Sequence, residues 1–336
     1  MRSSRWFRVV ALSVVFSASL LARSQAPAPA QAPAAPVAAP TLANAPDQQF
    51  TADGVTLRYR ELGTGTPIVF IHGYSAALES MAGIARALPD THRKVALDVR
   101  GFGRSTKFAE PAKFGQLMVD DVIKLMDHLK IQRAHLVGHS MGALIAANVA
   151  ARYPARVGSA SLVAGPFYAD EATFSKETGR WAADLESGAG LVNFMKWLFP
   201  AMKPEMAGMM NAGALKSNDL PSLIAVMKSL PKLALAGLPK NGSTALLVAG
   251  TGDPLFPLSP AFAKQSPGSQ MLEIANADHV SVITNAEAVK AMNEIVQRND
   301  DGGPAECVEC HTVLQPVQTR AAGGRPPIAA RSRSSP

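Results

Sequence analysis

Apolar positions along the chain follow two alternating rhythms. The short runs Pro67-Ile68-Val69-Phe70-Ile71, Lys94-Val95-Ala96-Leu97, Ala134-His135-Leu136-Val137, Val157–Ala164, Ala245–Ala249 and Gln270–Ile274 are almost uniformly apolar. Runs of that length and evenness predict strands buried on both faces. Between them the spacing changes to three and four. Met118, Val122, Leu125, Met126 and Leu129 fall on one face of a helix, and so do Ala288, Val289, Met292, Ile295 and Val296 in a helix from Ala286 to about Gln297. Ala76–Leu88 also reads as helix, as does Ala143–Ala150, which stops near Pro154. Ahead of these, Gln49–Thr51 and Val55–Leu62 make a hairpin around Asp53-Gly54. Strands alternating with helices predict an α/β domain, with a mostly parallel central sheet and helices on both faces.

From Pro166 to Lys240 the alternation fails. Helical patches continue, but no segment reads as a strand. Phe167, Tyr168, Phe174, Trp181, Phe194, Trp197 and Phe199 lie here, with six of the chain's 13 methionines. The stretch (166–240) is expected to be a helical insertion over the carboxyl edge of the sheet, presenting an adaptable apolar surface to a pocket.

The ends are of another kind. Arg2, Arg5 and Arg8 precede an apolar run from Val9 to Leu21, and Ala22-Arg23-Ser24 supplies small residues before Gln25. Residues 1–24 are expected to be an export signal, so the mature protein is periplasmic or secreted and keeps no stable membrane anchor. Residues 25–46, mostly Ala, Pro and Gln, read as a disordered linker, 47–300 as the folded domain and 301–336 as a disordered tail.

Composition changes this picture in one respect. The chain has 336 residues, 47% of them hydrophobic, and a formal charge of +7. The excess sits at the ends, where eight arginines face three acids. Taking these from totals of 33 and 26 leaves 25 basic against 23 acidic side chains for residues 25–300. No nucleic-acid partner follows from so balanced a domain. The only two cysteines form Cys307-Val308-Glu309-Cys310-His311, the spacing of a c-type haem attachment. Only 25 residues follow, with no methionine to serve as a second axial ligand. The expectation is therefore no haem, no other cofactor and no metal, with the cysteines free to pair in an oxidising compartment.

Candidate chemistry centres on Gly138-His139-Ser140-Met141-Gly142, between the strand at Ala134 and the helix at Ala143. A serine at a sharp strand-to-helix turn needs glycines on both sides, and it sits where backbone N–H groups lack partners. Its hydroxyl is a poor nucleophile without a base, and the base needs an orienting carboxylate. Of seven histidines, His279 follows a strand late in the chain, and it is the expected base. Asp253, in Gly250-Thr251-Gly252-Asp253-Pro254, is the expected carboxylate. Asp98 opens a Gly-rich turn and reads as structural, and Asp278 adjoins the histidine and is expected to point away.

The order Ser140, Asp253, His279, with His72-Gly73-Tyr74, Asp98–Ser105, the Gly138–Gly142 pentapeptide and Asp278-His279-Val280, resembles the α/β-hydrolase family over about 49–298. The resemblance implies the α/β-hydrolase fold with a helical cap at 166–240. It also implies an oxyanion hole formed by the backbone N–H groups of Tyr74 and Met141. Tyr74, Phe194 and Trp197 are the expected substrate-binding side chains. Serine in place of an aspartate nucleophile argues against haloalkane dehalogenases and epoxide hydrolases. The expectation is a carboxylic-ester hydrolase for a fairly apolar, small-molecule ester. A carbon–carbon bond hydrolase or cofactor-free perhydrolase on the same triad, and a non-catalytic binding protein on the fold, are the alternatives.

Overall fold

The computed structural model describes residues 40–240 and 244–300. Eight strands form one sheet: β1 (Gln48–Ala52), β2 (Val55–Leu62), β3 (Pro67–Ile71), β4 (Arg93–Leu97), β5 (Ala134–His139), β6 (Val157–Val163), β7 (Thr244–Gly250) and β8 (Gln270–Ile274). Their order is β1-β2-β4-β3-β5-β6-β7-β8. The hairpin β1–β2 is antiparallel and joins β4 antiparallel, and every later pairing is parallel. The helices are α1 (Ala82–Ala87), α2 (Gln116–His128), α3 (Met141–Arg152), α4 (Glu171–Glu186), α5 (Val192–Leu198), α6 (Pro204–Ser217), α7 (Leu220–Ser229), α8 (Leu258–Lys264) and α9 (Ala286–Asp300).

The strands are apolar on both sides because both sides are covered. Val69 and Ile71 of β3 pack with α2, α3 and the insertion, while Ile68 and Phe70 pack with α1 and α9. Each such buried side chain contributes roughly 1.5–3 kcal/mol. Helix α2 buries Met118, Val122, Leu125 and Met126 as their spacing predicts, and also Asp121. That acid is tolerated because Arg100 holds it with two 2.6 Å bonds from Nε and Nη2. Burial still pushes the Asp121 carboxyl up, against the lowering by Arg100.

Two expectations need correcting. Ala76–Leu88 is not one helix: a 3-10 turn covers Leu78–Met81 before α1. Its first amide, Leu78 N–H, is taken by Asp98 Oδ1 (2.8 Å), so the turn is anchored to the end of β4. The domain also begins before residue 47. Leu42 and Ala45 are buried, and Arg60 Nη1 donates to the carbonyls of Leu42 and Ala43. Leu42 is one apolar side chain in an Ala/Pro-rich run, and it joins the α1–α9 layer. Residues 1–24, most of 25–46 and 301–336 lie outside the described residues.

The insertion is wholly helical, α4 to α7, between β6 and β7. It is stitched to the loops at the sheet's carboxyl edge: Tyr74 Oη donates to Leu223 O (2.9 Å), Asn218 Nδ2 to Ser75 O (2.9 Å), and Ser222 Oγ to Phe108 O (3.0 Å).

Candidate active site

Strand β5 ends at His139 and α3 starts at Met141, so Ser140 alone makes the turn. Its φ of 55° lies in the left-handed region, which a side chain with a Cβ rarely adopts. A Cβ on Gly138 would lie 2.2 Å from the Gly142 carbonyl oxygen, and one on Gly142 would lie 2.0 Å from that of Ile71. Both glycines are therefore required by close backbone approach. Ser140 N–H donates to Val163 O of β6 (2.8 Å), which pins the turn to the sheet.

The loops after β7 and β8 are fastened together. Gly252 N–H donates to Ala277 O (2.9 Å) and Asn276 N–H to Thr251 Oγ1 (2.9 Å). This brings buried His279 to buried Asp253, with Nδ1 2.8 Å from Oδ2, while Asp253 Oδ1 accepts from Leu255 N–H (2.9 Å). A carboxylate accepts, so Nδ1 carries the proton and Nε2 is left as the basic nitrogen. Asp278 turns away, as expected, and accepts from the Val280 and Ser281 amides.

The remaining polar candidates are structural. Asp98 is fully buried and accepts from Arg58 Nη1 (3.0 Å), Leu78 N–H and Arg104 N–H. His72 Nε2 accepts from Val99 N–H (3.0 Å) while Nδ1 donates to Gly73 O (2.7 Å), which ties the ends of β3 and β4 together. Burial lowers its pKa. His135 bonds Ser159 Oγ (2.8 Å) and, at the opposite edge of the sheet, Asp300, which also holds His92. His139 does something the sequence did not reveal: its ring lies against His279, and its Nε2 reaches the His279 carbonyl (2.7 Å).

Ser140, Met141 and Tyr74 open onto one cleft of about 470 Å³, part of it open to solvent. Among the described residues no acceptor takes the Tyr74 or Met141 N–H. Phe194 and Trp197 line the same cleft, as expected, with Trp181 beside them at ring separations of 5.5 Å each. Its polar points include Tyr168, ahead of α4, and Glu177 and Thr178 on α4, none singled out for polarity from the sequence, because only the folded chain brings them to the cleft. Glu177 pairs with Arg180, whose guanidinium lies 4.1 Å from the Trp181 ring centre. Burial raises the pKa of Tyr74 well above its ordinary value and that of Tyr168 to about 12, so both phenols are neutral donors. The described residues contain no cluster fit to hold a metal and no helix long and apolar enough to cross a membrane. The Cys307, Cys310 and His311 motif lies outside them.

A sequence model of the family described as alpha/beta hydrolase fold matches residues 66–192. A dihydrolipoyllysine-residue acetyltransferase component of an acetoin cleaving system from Pseudomonas putida is 30% identical over 262 residues, covering 72% of this chain and 66% of that protein. The chain thus spans just under two thirds of that relative's length. A 2-hydroxymuconate semialdehyde hydrolase from Pseudomonas is 32% identical over 119 residues, 34% of this chain and 42% of that protein. Among solved structures, a thermophilic esterase from Thermogutta terrifontis superposes with a TM-score of 0.63 at 22% identity, over 76% of this chain and 100% of that one. At that identity the likeness concerns the fold alone.

Proposed function

The chain belongs to the α/β-hydrolase superfamily, and from that premise we propose that it is a serine esterase for small, fairly apolar carboxylic esters. In this reading Ser140 Oγ attacks the ester carbonyl while His279 Nε2 takes its proton. Asp253 holds the imidazole in the required tautomer and offsets the imidazolium charge. The Tyr74 and Met141 amides receive the oxyanion of the tetrahedral intermediate. His279 returns the proton to the departing alcohol, then draws one from the water that attacks the acyl-enzyme and gives it to Ser140 Oγ as the acid leaves. No step needs a cofactor.

The observation that carries the reading is the shared cleft. Ser140 in its strained turn lines one largely apolar cleft with Tyr74 and Met141, whose amides have no acceptor among the described residues, and Phe194 and Trp197 wall it, which suits an acyl or alcohol group without charge. Ser140→Ala should lower turnover of p-nitrophenyl esters by about 10⁴-fold or more and abolish labelling by a fluorophosphonate, with melting unchanged. Wild-type turnover by that variant would defeat the mechanism. Absence of turnover by the unaltered protein across the ester panel would favour the binding-protein alternative.

Export belongs to the same proposal, supported by the basic and apolar residues at 1–24. Mature protein recovered from the periplasm or medium should begin at Gln25. A product that keeps Met1–Ser24 would overturn it.

A further inference from the structure

We propose that His139 is a positioning residue for the general base: by donating Nε2–H to the backbone carbonyl of His279 and lying against its ring, it sets where His279 stands relative to Ser140. The inference rests on the triad assigned above. It concerns a residue that this assignment leaves without a role.

The hydrogen bond fixes the chemistry of His139. A carbonyl oxygen only accepts, so the nitrogen 2.7 Å from it carries the proton, and the ring is the Nε2–H tautomer. The two imidazoles lie 5.0 Å apart, inclined at 47°. Asp253 grips His279 by one ring nitrogen, and the loop backbone is held on either side of it, by Gly252 N–H at Ala277 O and by the Asp278 carboxylate at the Val280 and Ser281 amides. His139 adds a hydrogen bond at the carbonyl of His279 itself. It is the immediate neighbour of Ser140, and Gly73 closes over both: a Cβ there would lie 3.2 Å from Ser140 Cβ and 3.4 Å from His139 Nδ1. Nucleophile and base are thus joined through one rigid turn.

Charge on His139 would undo this. An imidazolium there would repel the imidazolium that His279 becomes during catalysis. Burial and the adjacent His279 lower the pKa of His139 to about 4, against smaller raising effects of the His279 carbonyl and Asp253. His72 is the other titratable group facing it, and it also disfavours the charge. His139 therefore stays a neutral donor near neutral pH.

The test compares His139→Gln, whose amide nitrogen reaches about as far as Nε2, with His139→Asn, which is polar but too short, and His139→Leu, which keeps bulk without a donor. Each is assayed with p-nitrophenyl acetate for kcat, KM, the pH–rate profile and the rate of fluorophosphonate labelling. A misplacement of the base by a fraction of an ångström should cost roughly ten- to a hundredfold in kcat for Asn and Leu, with KM within about twofold, slowed labelling and a shifted acid limb. The Gln variant should stay within about threefold of wild type. A kcat for His139→Asn equal to wild type would overturn the proposal, and so would an equal loss in Gln and Asn. Should Leu not fold, the Gln and Asn pair decides alone. Ser140→Ala is run beside them: activity there sinks the triad itself, whereas an inactive Ser140→Ala beside an unaffected His139→Asn sinks only this inference.

Discussion

The serine turn and helix α6 of the insertion stand at opposite extremes of constraint. At the turn, glycines 138 and 142 have no room even for one carbon. In α6, Gly208 and Gly213 face open space, Ala207 is the only buried residue, and Met206 and Met209 are 47% and 61% exposed. The first region is specified by backbone geometry and so demands particular residues at particular positions. The second is specified by composition, and many sequences would serve it. The proposed chemistry is placed in the first, whereas no residue of α6 lines the cleft, whose aromatic wall comes from α4 and α5.

The largest test of that contrast is Asp253→Asn against Asp98→Asn. The first should lower kcat by about 10⁴-fold at an unchanged melting temperature, because an amide can hold His279 in the wrong tautomer. The second replaces one of the two Asp98 oxygens with a donor, which leaves either the Leu78 amide or the Arg58 and Arg104 groups without an acceptor, and should act through the melting temperature. Exchanged signatures would exchange the two assignments.

Glycine-to-alanine substitutions probe the contrast directly. Gly142→Ala forces a carbon to within 2.0 Å of the Ile71 carbonyl oxygen and should destabilise by about 3 kcal/mol or more, seen as a drop in denaturant midpoint. Retained stability there would mean that the turn has slack the geometry denies. Substrate choice is probed by Trp197→Ala and Phe194→Ala. Each should reduce kcat/KM by roughly ten- to a hundredfold for long-chain esters and much less for an acetyl ester. Uniform loss together with early melting would make these aromatics core rather than wall. The smallest effect has the opposite sign. Gly208→Ala and Gly213→Ala should each stabilise by about 0.5–1 kcal/mol, through helix propensity and a less free unfolded chain, without altering acetyl-ester turnover.

The same contrast explains what could be read from the sequence. The turn, the Ser140–Asp253–His279 order and the strand alternation were legible because each rests on local backbone demands. The fold they implied is the one observed. The Asp253–His279 contact was inferred from strand-end positions, and the structure brings the pair together. The role of His139 was not legible, since nothing in Gly138–Gly142 says which way the imidazole points until the 277–280 loop is folded over it. Asp121 escaped notice because its partner Arg100 is 21 residues away. Leu42 was hidden by its neighbours' composition, and the break before α1 by Asp98, whose capture of the Leu78 amide is a tertiary event.

The stitches from Asn218 and α7 to the carboxyl-edge loops bear on engineering. Tyr74 contributes a candidate oxyanion amide with its backbone and a tether to Leu223 with its hydroxyl. A graft that replaced residues 166–240 with the corresponding part of a relative would cut that tether along with those to Ser75 and Phe108. It would thereby loosen the peptide to which the proposed mechanism assigns the oxyanion. The insertion is not a detachable module: recombination boundaries that keep these tethers have to carry Asn218 and α7 with the sheet and leave α4 to α6 as the portion open to exchange.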